Sequence, residues 1–239
     1  MCIRDSSGGT VGNNFGAFDG TVNISGGEVG ISFGANSGSE VNISGGEVGS
    51  FFDAFDGSTV NISGGEVGPG FDAESGSTVN ISGGTVGFDF AANSGSTVNI
   101  SGGTVGFSFA ANSGSTVNIS GGTFGVDFEA ESGSTVNIFA TDFFLNDTSI
   151  DTLTVGETIT IFDRGEDVVL SGVFADGTLF DFDLNPNNPF FPAFVDFFDP
   201  SSTLTITRVA AIPEPGCGLT LATMSLVLLV RRRRRQTQS

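Results

Sequence analysis

Apolar and polar residues alternate along most of this chain in a pattern that repeats every 19 residues. Within one copy, the segment Ser-Thr-Val-Asn-Ile-Ser alternates polar and apolar side chains, as a strand with one buried face does. This alternation predicts that Val and Ile face a core, while Thr, Asn and Ser face outward. The tripeptide Val-Asn-Ile marks the copies and starts at Val22, Val41, Val60, Val79, Val98, Val117 and Val136.

A second apolar pattern follows the first in each copy. The Gly-Gly pair after the first strand is a turn signal. Beyond it, stretches such as Val86-Gly87-Phe88-Asp89-Phe90 place Val, a variable residue and Phe on one face, which predicts a second strand. A Phe recurs here at Phe15, Phe33, Phe52, Phe71, Phe90, Phe109 and Phe128, with an Ala two positions later at Ala17, Ala35, Ala54, Ala73, Ala92, Ala111 and Ala130.

Short tandem repeats of this kind stack as solenoids, in which each unit contacts only its neighbours. A helical solenoid is the alternative, but Gly-Gly, Ser-Gly and β-branched residues disfavour helix. We therefore predict an all-β fold, a parallel β-helix (β-solenoid) of about seven 19-residue coils over residues 7–139. At the strand spacing of about 4.8 Å, the Phe rings would stack as an internal ladder, and each Ala would mark a tight corner.

Two regions flank the repeat. Residues 140–211 leave the period but remain rich in strand-forming residues, so they predict an all-β cap for the exposed edge of the solenoid, built either as extra irregular coils or as a small sandwich. Residues 1–6 contain neither an apolar core nor a small-residue cleavage site, so they are not a secretory signal. We expect residues 1–6 to be a non-native or truncated N-terminus, with further coils before them in the complete protein.

The charge and composition of the chain limit the classes of function that it can have. The formal net charge is −19, and the residues beyond 212 carry five Arg and one Glu, so about −23 resides on residues 1–212. Such an acidic body repels phosphates, which excludes nucleic acid as a partner. The chain has no Lys, His or Tyr. Because these are among the usual general bases, their absence favours a protein that is not an enzyme.

The C-terminal residues combine three features in order: Pro213-Glu214-Pro215, an apolar segment at 216–230 and the run Arg231, Arg232, Arg233, Arg234 and Arg235. The apolar segment is short against the ~20 residues of a comfortable span. The Arg run predicts a cytoplasmic stop that leaves residues 1–212 outside. Residues 212–239 as a whole resemble the PEP-CTERM sorting signal of exported bacterial proteins. An ordinary single-span anchor is the alternative.

The resemblance implies an address rather than an activity. It implies that Pro213, Glu214 and Pro215 are the processing motif, that an exosortase is the partner during sorting and that the tail anchors the protein in the inner membrane only transiently. The processed protein would then be displayed at the cell surface or secreted. There its expected role is structural or adhesive, with extracellular polysaccharide as a candidate partner.

Two groups of oxygen-bearing side chains are candidate Ca²⁺ ligands, and no other cofactor is expected. Glu28, Glu47 and Glu66 follow Gly-Gly in three successive copies and would stack about 4.8 Å apart. Asp181, Asp183 and Asn185 place oxygen atoms at alternate positions, as calcium loops do, but without the Gly and Glu of an EF-hand. The alternatives are solvated turn residues for the first group and a plain polar turn for the second.

Two further features keep other functions open. Asp53 and Asp72 share one position in neighbouring copies, so their carboxyl groups could resemble the pair of a retaining glycosidase. The outward Thr, Asn and Ser form a regular hydroxyl-and-amide face that could bind glycans by multivalent hydrogen bonding or, like the Thr arrays of some solenoids, bind ice. The alternative is a soluble exterior with β propensity.

Overall fold

The computed structural model describes residues 2–165, 167–186 and 196–211, with side chains from residue 6 onward. Alternating residues build one long strand in each copy of the repeat, with Val and Ile buried and the Thr, Asn and Ser between them directed outward. The long strands are β1 (Cys2–Val11), β3 (Gly20–Val29), β5 (Glu40–Val48), β7 (Thr59–Val67), β9 (Thr78–Val86), β11 (Thr97–Val105), β13 (Thr116–Phe124) and β15 (Thr135–Ala140).

A short strand in each copy contains the buried Ala and ends at it. The short strands are β2 (Gly16–Ala17), β4 (Gly34–Ala35), β6 (Asp53–Ala54), β8 (Asp72–Ala73), β10 (Phe90–Ala92), β12 (Phe109–Ala111) and β14 (Phe128–Ala130). We number a long strand and the short strand after it as one coil, so β1 and β2 form coil 1 and β13 and β14 form coil 7.

Neighbouring coils pair in parallel, 19 residues apart, through both sets of strands. The predicted all-β parallel β-solenoid of about seven coils is therefore confirmed. The Phe side chains stack between the two sheets with ring centroids 4.7 to 5.4 Å apart and interplanar angles of 5° to 18°. Six of these seven rings are essentially inaccessible to solvent, so the predicted internal ladder is also confirmed.

The Gly-Gly pair is not the turn that the sequence predicted. The long strands β3 to β11 continue through it to a buried Val, and the strand register shifts there, so that Ser63 pairs with Gly83. The second glycine adopts a positive φ, +76° at Gly84. A Cβ there would lie 2.8 Å from the backbone carbon of Gly64, closer than packed atoms approach. Glycine is therefore required at a bulge that is repeated in every coil.

The predicted second strand is also shorter than expected, because the chain turns a corner inside it. Val86 and Phe90 are buried, but Phe88 between them is 40% exposed. Asp89 has a φ of +56°, which turns the backbone and lets Phe90 re-enter the core. The interpretation that Val, the variable residue and Phe share one face was therefore wrong for the variable residue. Equivalent left-handed residues are Asn14, Ser32, Phe51, Gly70, Ser108 and Asp127.

The region after the repeat is built from strands, but it divides into two parts. A four-stranded antiparallel sheet with order β17-β16-β19-β20 forms the cap. The rest returns to the solenoid, where the last two strands pair with β14 and β15 in parallel. The strands of this region are β16 (Asp142–Leu145), β17 (Thr148–Ser149), β18 (Thr158–Thr160), β19 (Val169–Val173), β20 (Leu179–Asp183), β21 (Phe197–Phe198) and β22 (Thr203–Arg208).

The C-terminal end of the solenoid is closed from several directions. β18 pairs antiparallel with β22 and covers the edge of the long-strand sheet. Phe182 and Phe198 meet the last ladder ring, Phe128, nearly edge-on at 72° and 73°. Arg208 joins the two parts, since its guanidinium donates to Asp142 and to the carbonyl oxygens of Thr141 and Leu153 at 2.8 to 3.0 Å.

The first strand departs from the repeat. β1 starts at Cys2 and pairs with β3, so residues that the sequence assigned to an irregular N-terminus lie in the solenoid sheet. At the register positions of Val22 and Ile24, β1 has Arg4 and Ser6. The strand is therefore continuous with the solenoid, while its sequence does not continue the apolar columns. The expectation of a non-native segment stays a prediction.

Candidate binding face

The outward side of the long-strand sheet is a regular polar surface, which we call the polar face. It consists of three columns of residues that alternate with the buried Val and Ile along each strand. The coils stay in register from β3 to β15 as far as the Gly-Gly bulge, so the Thr and Asn columns run parallel to the solenoid axis. Each Ser of β3 to β11 pairs instead with a Gly of the next coil. The middle parts of the columns are Thr59, Thr78, Thr97 and Thr116; Asn61, Asn80, Asn99 and Asn118; and Ser63, Ser82, Ser101 and Ser120.

The Asn column is a continuous ladder of amide hydrogen bonds. From Asn42 to Asn137, the Nδ2 of each Asn donates to the Oδ1 of the Asn in the preceding coil at 2.8 to 3.0 Å, for example Asn99 to Asn80 at 2.8 Å. The hydroxyl of Thr205 donates to Asn137 and ends the ladder. An amide has two N–H donors and two acceptor sites. Asn61 also donates to Glu40 at 3.5 Å. Asn80, Asn99 and Asn118 each use one donor and one acceptor site within the ladder, in an orientation fixed by their neighbours.

The predicted column of glutamates lies along one border of the polar face. Glu28 pairs with Glu47, and Glu47 pairs with Glu66, so the expected stacking is confirmed. All three side chains are exposed. Thr85, Thr104 and Thr123 continue the column in the next three coils. The column is thus acidic in coils 2 to 4 and neutral in coils 5 to 7.

Asp53 and Asp72 are adjacent on the outer side of the short-strand sheet, as their shared position predicted. Partial burial raises the pKa of Asp72 to about 6, and the charges of Asp53 and Glu74 add to this effect. Burial and the charge of Glu74 also raise the pKa of Asp53. Two neighbouring carboxyl groups of this kind can share a proton near neutral pH.

The second predicted group of ligands lies where the cap meets the solenoid. Asp181 and Asp183 are on β20, and Asn185 forms a bridge with Phe197. Both aspartates face a third carboxyl group, Asp196, closely enough to raise its pKa. In the part of the chain that the structure describes, no set of three or more acidic or Cys residues is arranged to hold a metal ion. Calcium binding stays a prediction for both groups.

Asp196 is the residue that sequence reasoning missed. It occupies the position of the ladder Phe in the last coil, and it accepts hydrogen bonds from the backbone N–H groups of Phe128 at 2.8 Å and Asp183 at 3.2 Å. Burial raises its pKa to about 6, against the lowering effect of these two hydrogen bonds. The signal was the motif Phe-Phe-Asp-Pro-Ser-Ser-Thr at 197–203, which matches the corner of the repeat without its glycine.

The remaining predicted site residues are in the C-terminal tail. Pro213, Glu214 and Pro215, the apolar segment 216–230 and Arg231–Arg235 lie outside the described residues. Residues 2–165, 167–186 and 196–211 contain no helix with the length and apolar character to cross a membrane. Comparison with models of protein families, with curated proteins and with solved structures gives no match.

Proposed function

We propose that this chain is an exported structural or adhesive protein, without catalytic activity, whose polar face binds extracellular polysaccharide. The observation that carries the proposal is the register of the polar face. The same hydroxyl and amide groups recur in coils 4 to 7, about 4.8 Å apart, and the amide ladder fixes the direction of the amides. Many weak hydrogen bonds to one polymer then add up through multivalency.

The proposal that the protein is exported is based on its C-terminal sequence. Pro213-Glu214-Pro215, the apolar segment and the Arg run together favour delivery by an exosortase, with loss of the tail and release to the cell surface or its surroundings. In a host with an exosortase, we expect the mature protein to lack Arg231–Arg235 by mass spectrometry. A surface protein that keeps the intact tail would instead support an ordinary membrane anchor.

Co-sedimentation of the full chain with cellulose, chitin and alginate tests the binding proposal. The double variant Thr78→Gln, Thr97→Gln inserts longer neutral side chains into the polar face of coils 5 and 6. The matched control, Ala91→Gln with Ala110→Gln, makes the same change on the short-strand sheet of the same two coils. We expect binding to fall at least about tenfold for the first pair only. Equal binding by both variants, or no binding by the unmodified chain, would overturn the proposal.

One observation favours a second function, hydrolysis of polysaccharide. A carboxyl group with a pKa of about 6, Asp72, lies beside Asp53, and an acid and a base of this kind are what glycoside hydrolysis uses. Release of new reducing ends from the same three polysaccharides measures it. Activity that is lost in Asp53→Asn and Asp72→Asn would establish the enzyme in place of the adhesive protein. Thermal hysteresis of the unmodified chain would instead indicate that the polar face binds ice.

A further inference from the structure

A row of exposed apolar side chains follows the corner between the two sheets, and we call it the corner strip. It occupies coils 2 to 7, a length of about 24 Å at the strand spacing. Contiguous apolar surface of this kind usually marks an interaction site. The strip consists of Ile31, Pro69, Phe88, Phe107 and Val126, which share one position of the repeat, and of Phe51, which follows Ser50 at that position in coil 3. Its five non-proline members are 40% to 62% exposed.

The backbone holds the strip in line. At each corner the left-handed residue donates its N–H to the carbonyl oxygen of the strip position in the next coil, at 2.9 to 3.2 Å from Asn14 through Ser108. The rings of Phe88 and Phe107 stack with centroids 4.9 Å apart and an interplanar angle of 5°. The strip is therefore an ordered surface and not a set of unrelated loop residues.

Phe51 gives an independent reason to connect the strip with binding. Its φ is +61°, a conformation that is unfavourable for a bulky side chain. The equivalent residues in the other coils are Asn, Ser, Asp and Gly, which tolerate it better. Phe51 is 62% exposed, so core packing does not compensate for the strain. Strain that folding does not explain is typical of functional positions.

The columns on the two sides of the strip have five of their six acidic residues in coils 2 to 4, and the sixth is Glu129 in coil 7. On the polar-face side, Glu28, Glu47 and Glu66 are followed by Thr85, Thr104 and Thr123. On the other side, the outward residues of the short strands in coils 2 to 7 are Gly34, Asp53, Asp72, Ala91, Ala110 and Glu129.

We propose that the corner strip pairs with the strip of a second copy of this chain in an antiparallel dimer. Its two-fold axis lies between coils 4 and 5, perpendicular to the solenoid axis, so the interface is isologous. Coil 2 then faces coil 7, coil 3 faces coil 6 and coil 4 faces coil 5. Ile31 then meets Val126 and Pro69 meets Phe88, whereas Phe107 meets Ser50 and the adjacent Phe51.

The flanking charges select this arrangement. In the antiparallel dimer each acidic residue of these two columns opposes a neutral one, because coils 2 to 4 face coils 5 to 7 and Glu129 faces Gly34. A parallel dimer would place Glu47 against Asp53 and Glu66 against Asp72 of the second copy, and these like charges would repel. The antiparallel pairs are Glu28 with Thr123, Glu47 with Thr104, Glu66 with Thr85, Asp53 with Ala110, Asp72 with Ala91 and Gly34 with Glu129.

The size of the strip and the net charge of the chain together determine the dissociation constant that we expect for the dimer. The strip extends over only six coils, so we expect an interface at the lower limit of specific interfaces, about 1,000 Å² for both partners. Each copy has a net charge of −19, which opposes association until salt screens it. We therefore expect a dissociation constant in the micromolar range that falls as ionic strength rises.

Sedimentation equilibrium of the full chain at 50 and 500 mM NaCl tests the proposal. The variant Phe88→Glu, Phe107→Glu is expected to weaken dimerisation at least about tenfold. Its control is Phe18→Glu with Phe162→Glu, which changes two Phe residues that are 69% and 86% exposed away from the strip and is expected to dimerise normally. A monomer at all concentrations, or equal behaviour of both variants, would overturn the proposal. The second result would indicate association through other surfaces, including the apolar tail.

Thr104 tests the antiparallel arrangement separately, because it opposes Glu47 of the second copy. Thr104→Glu should weaken the dimer severalfold, whereas Thr104→Lys should strengthen it. Thr97→Glu and Thr97→Lys introduce the same charges in the same strand, away from the strip, and serve as controls. In a parallel dimer Thr104 would face Ala110 instead. Equal effects at both positions would therefore overturn the antiparallel pairing, even if the strip is the interface.

Discussion

The solenoid and the cap both bury apolar strand faces, but they do so with different kinds of contact. In the solenoid a residue packs against the same residue type 19 positions away, as the Phe ladder and the Asn ladder show. In the cap, residues from distant segments meet once, as Arg208 does with Asp142 and Leu153.

The two regions therefore differ in which contacts contribute to their free energy of unfolding. In a solenoid the free energy of unfolding is close to a sum of equal terms for each coil and each interface between coils. The cap has no repeated term, and two charged residues, Arg208 and Asp196, make several of its connections. The solenoid should therefore respond to mutation through packing, and the cap through electrostatics.

The largest expected effect is the loss of a ring from the middle of the ladder. Phe71 is fully buried and stacks on both Phe52 and Phe90. We expect Phe71→Ala to lower the free energy of unfolding by about 3–5 kcal/mol, because it leaves a cavity that flanking rings cannot fill. Chemical denaturation measures this change. Phe88→Ala, which removes an exposed ring, is the control, and an equal loss there would contradict the packing account.

Asp196 should make the stability of the cap depend on pH in an unusual direction. Its pKa is about 6 in the folded protein and near 3.8 in the unfolded chain, so the folded state holds an extra proton between these values. The free energy of unfolding should therefore fall as pH rises from about 4 to 6. We expect Asp196→Asn to remove up to about 3 kcal/mol of this dependence.

Thermal melts at pH 4.5, 5.5 and 7.5 compare Asp196→Asn with the unmodified chain. Asp72→Asn is the matched control in the solenoid, since Asp72 also has a pKa of about 6 but is more exposed to solvent. It should remove a smaller part of the pH dependence. A melting temperature that rises with pH in the unmodified chain would contradict this assignment.

Removal of the Arg208 side chain should separate the cap from the solenoid. Arg208→Ala leaves Asp142 and two carbonyl oxygens without their shared donor. We expect a loss of about 2 kcal/mol, typical of hydrogen bonds to a charged group. Hydrogen exchange should show faster exchange in β16 and β18 with little change in β7 to β11. If β7 to β11 exchanged faster by the same factor, the two regions would unfold as one unit.

The smallest expected effect is the interruption of the Asn ladder. Asn99→Ala removes one hydrogen bond to Asn80 and one from Asn118 on a partly solvated surface. We expect a loss of about 1 kcal/mol by chemical denaturation. Thr97→Ala, on the same strand, should cost less. If Asn99→Ala lowered the free energy of unfolding as much as Phe71→Ala, polar ladders and not packing would contribute most of the stability of the solenoid.

The solenoid can be predicted well from the sequence because each buried column recurs in seven successive copies of the repeat. The coil length, the inward Val and Ile, the Phe ladder and the stacked Glu28, Glu47 and Glu66 all follow from one period. The Gly-Gly bulge was misread as a turn, because a glycine pair signals both and only the register of the neighbouring coil distinguishes them. Phe88 was placed inside because its alternation continues across a corner that Asp89 creates.

The cap could be predicted only as a strand-rich region. Its contacts join residues such as Arg208 and Asp142 that have no repeated counterpart, so no spacing in the sequence reveals them. Extra irregular coils were one of two alternatives for this region, but the position of the last coil was not predicted, for a related reason. Asp196 replaces the ladder Phe, and Pro200 changes the corner. Residues 196–208 therefore keep the geometry of the repeat although they share few residues with it.

The return of β22 to the solenoid has a consequence for the order of folding. Neighbouring coils pair across 19 residues, whereas Thr135 pairs with Thr203 across 68. Closing the longer loop costs about 1 kcal/mol more chain entropy, and contacts of higher order form more slowly. During synthesis the first seven coils can stack as they leave the ribosome. The edge of β15 stays open until residue 203 has emerged, so the molecule closes at its C-terminal end last.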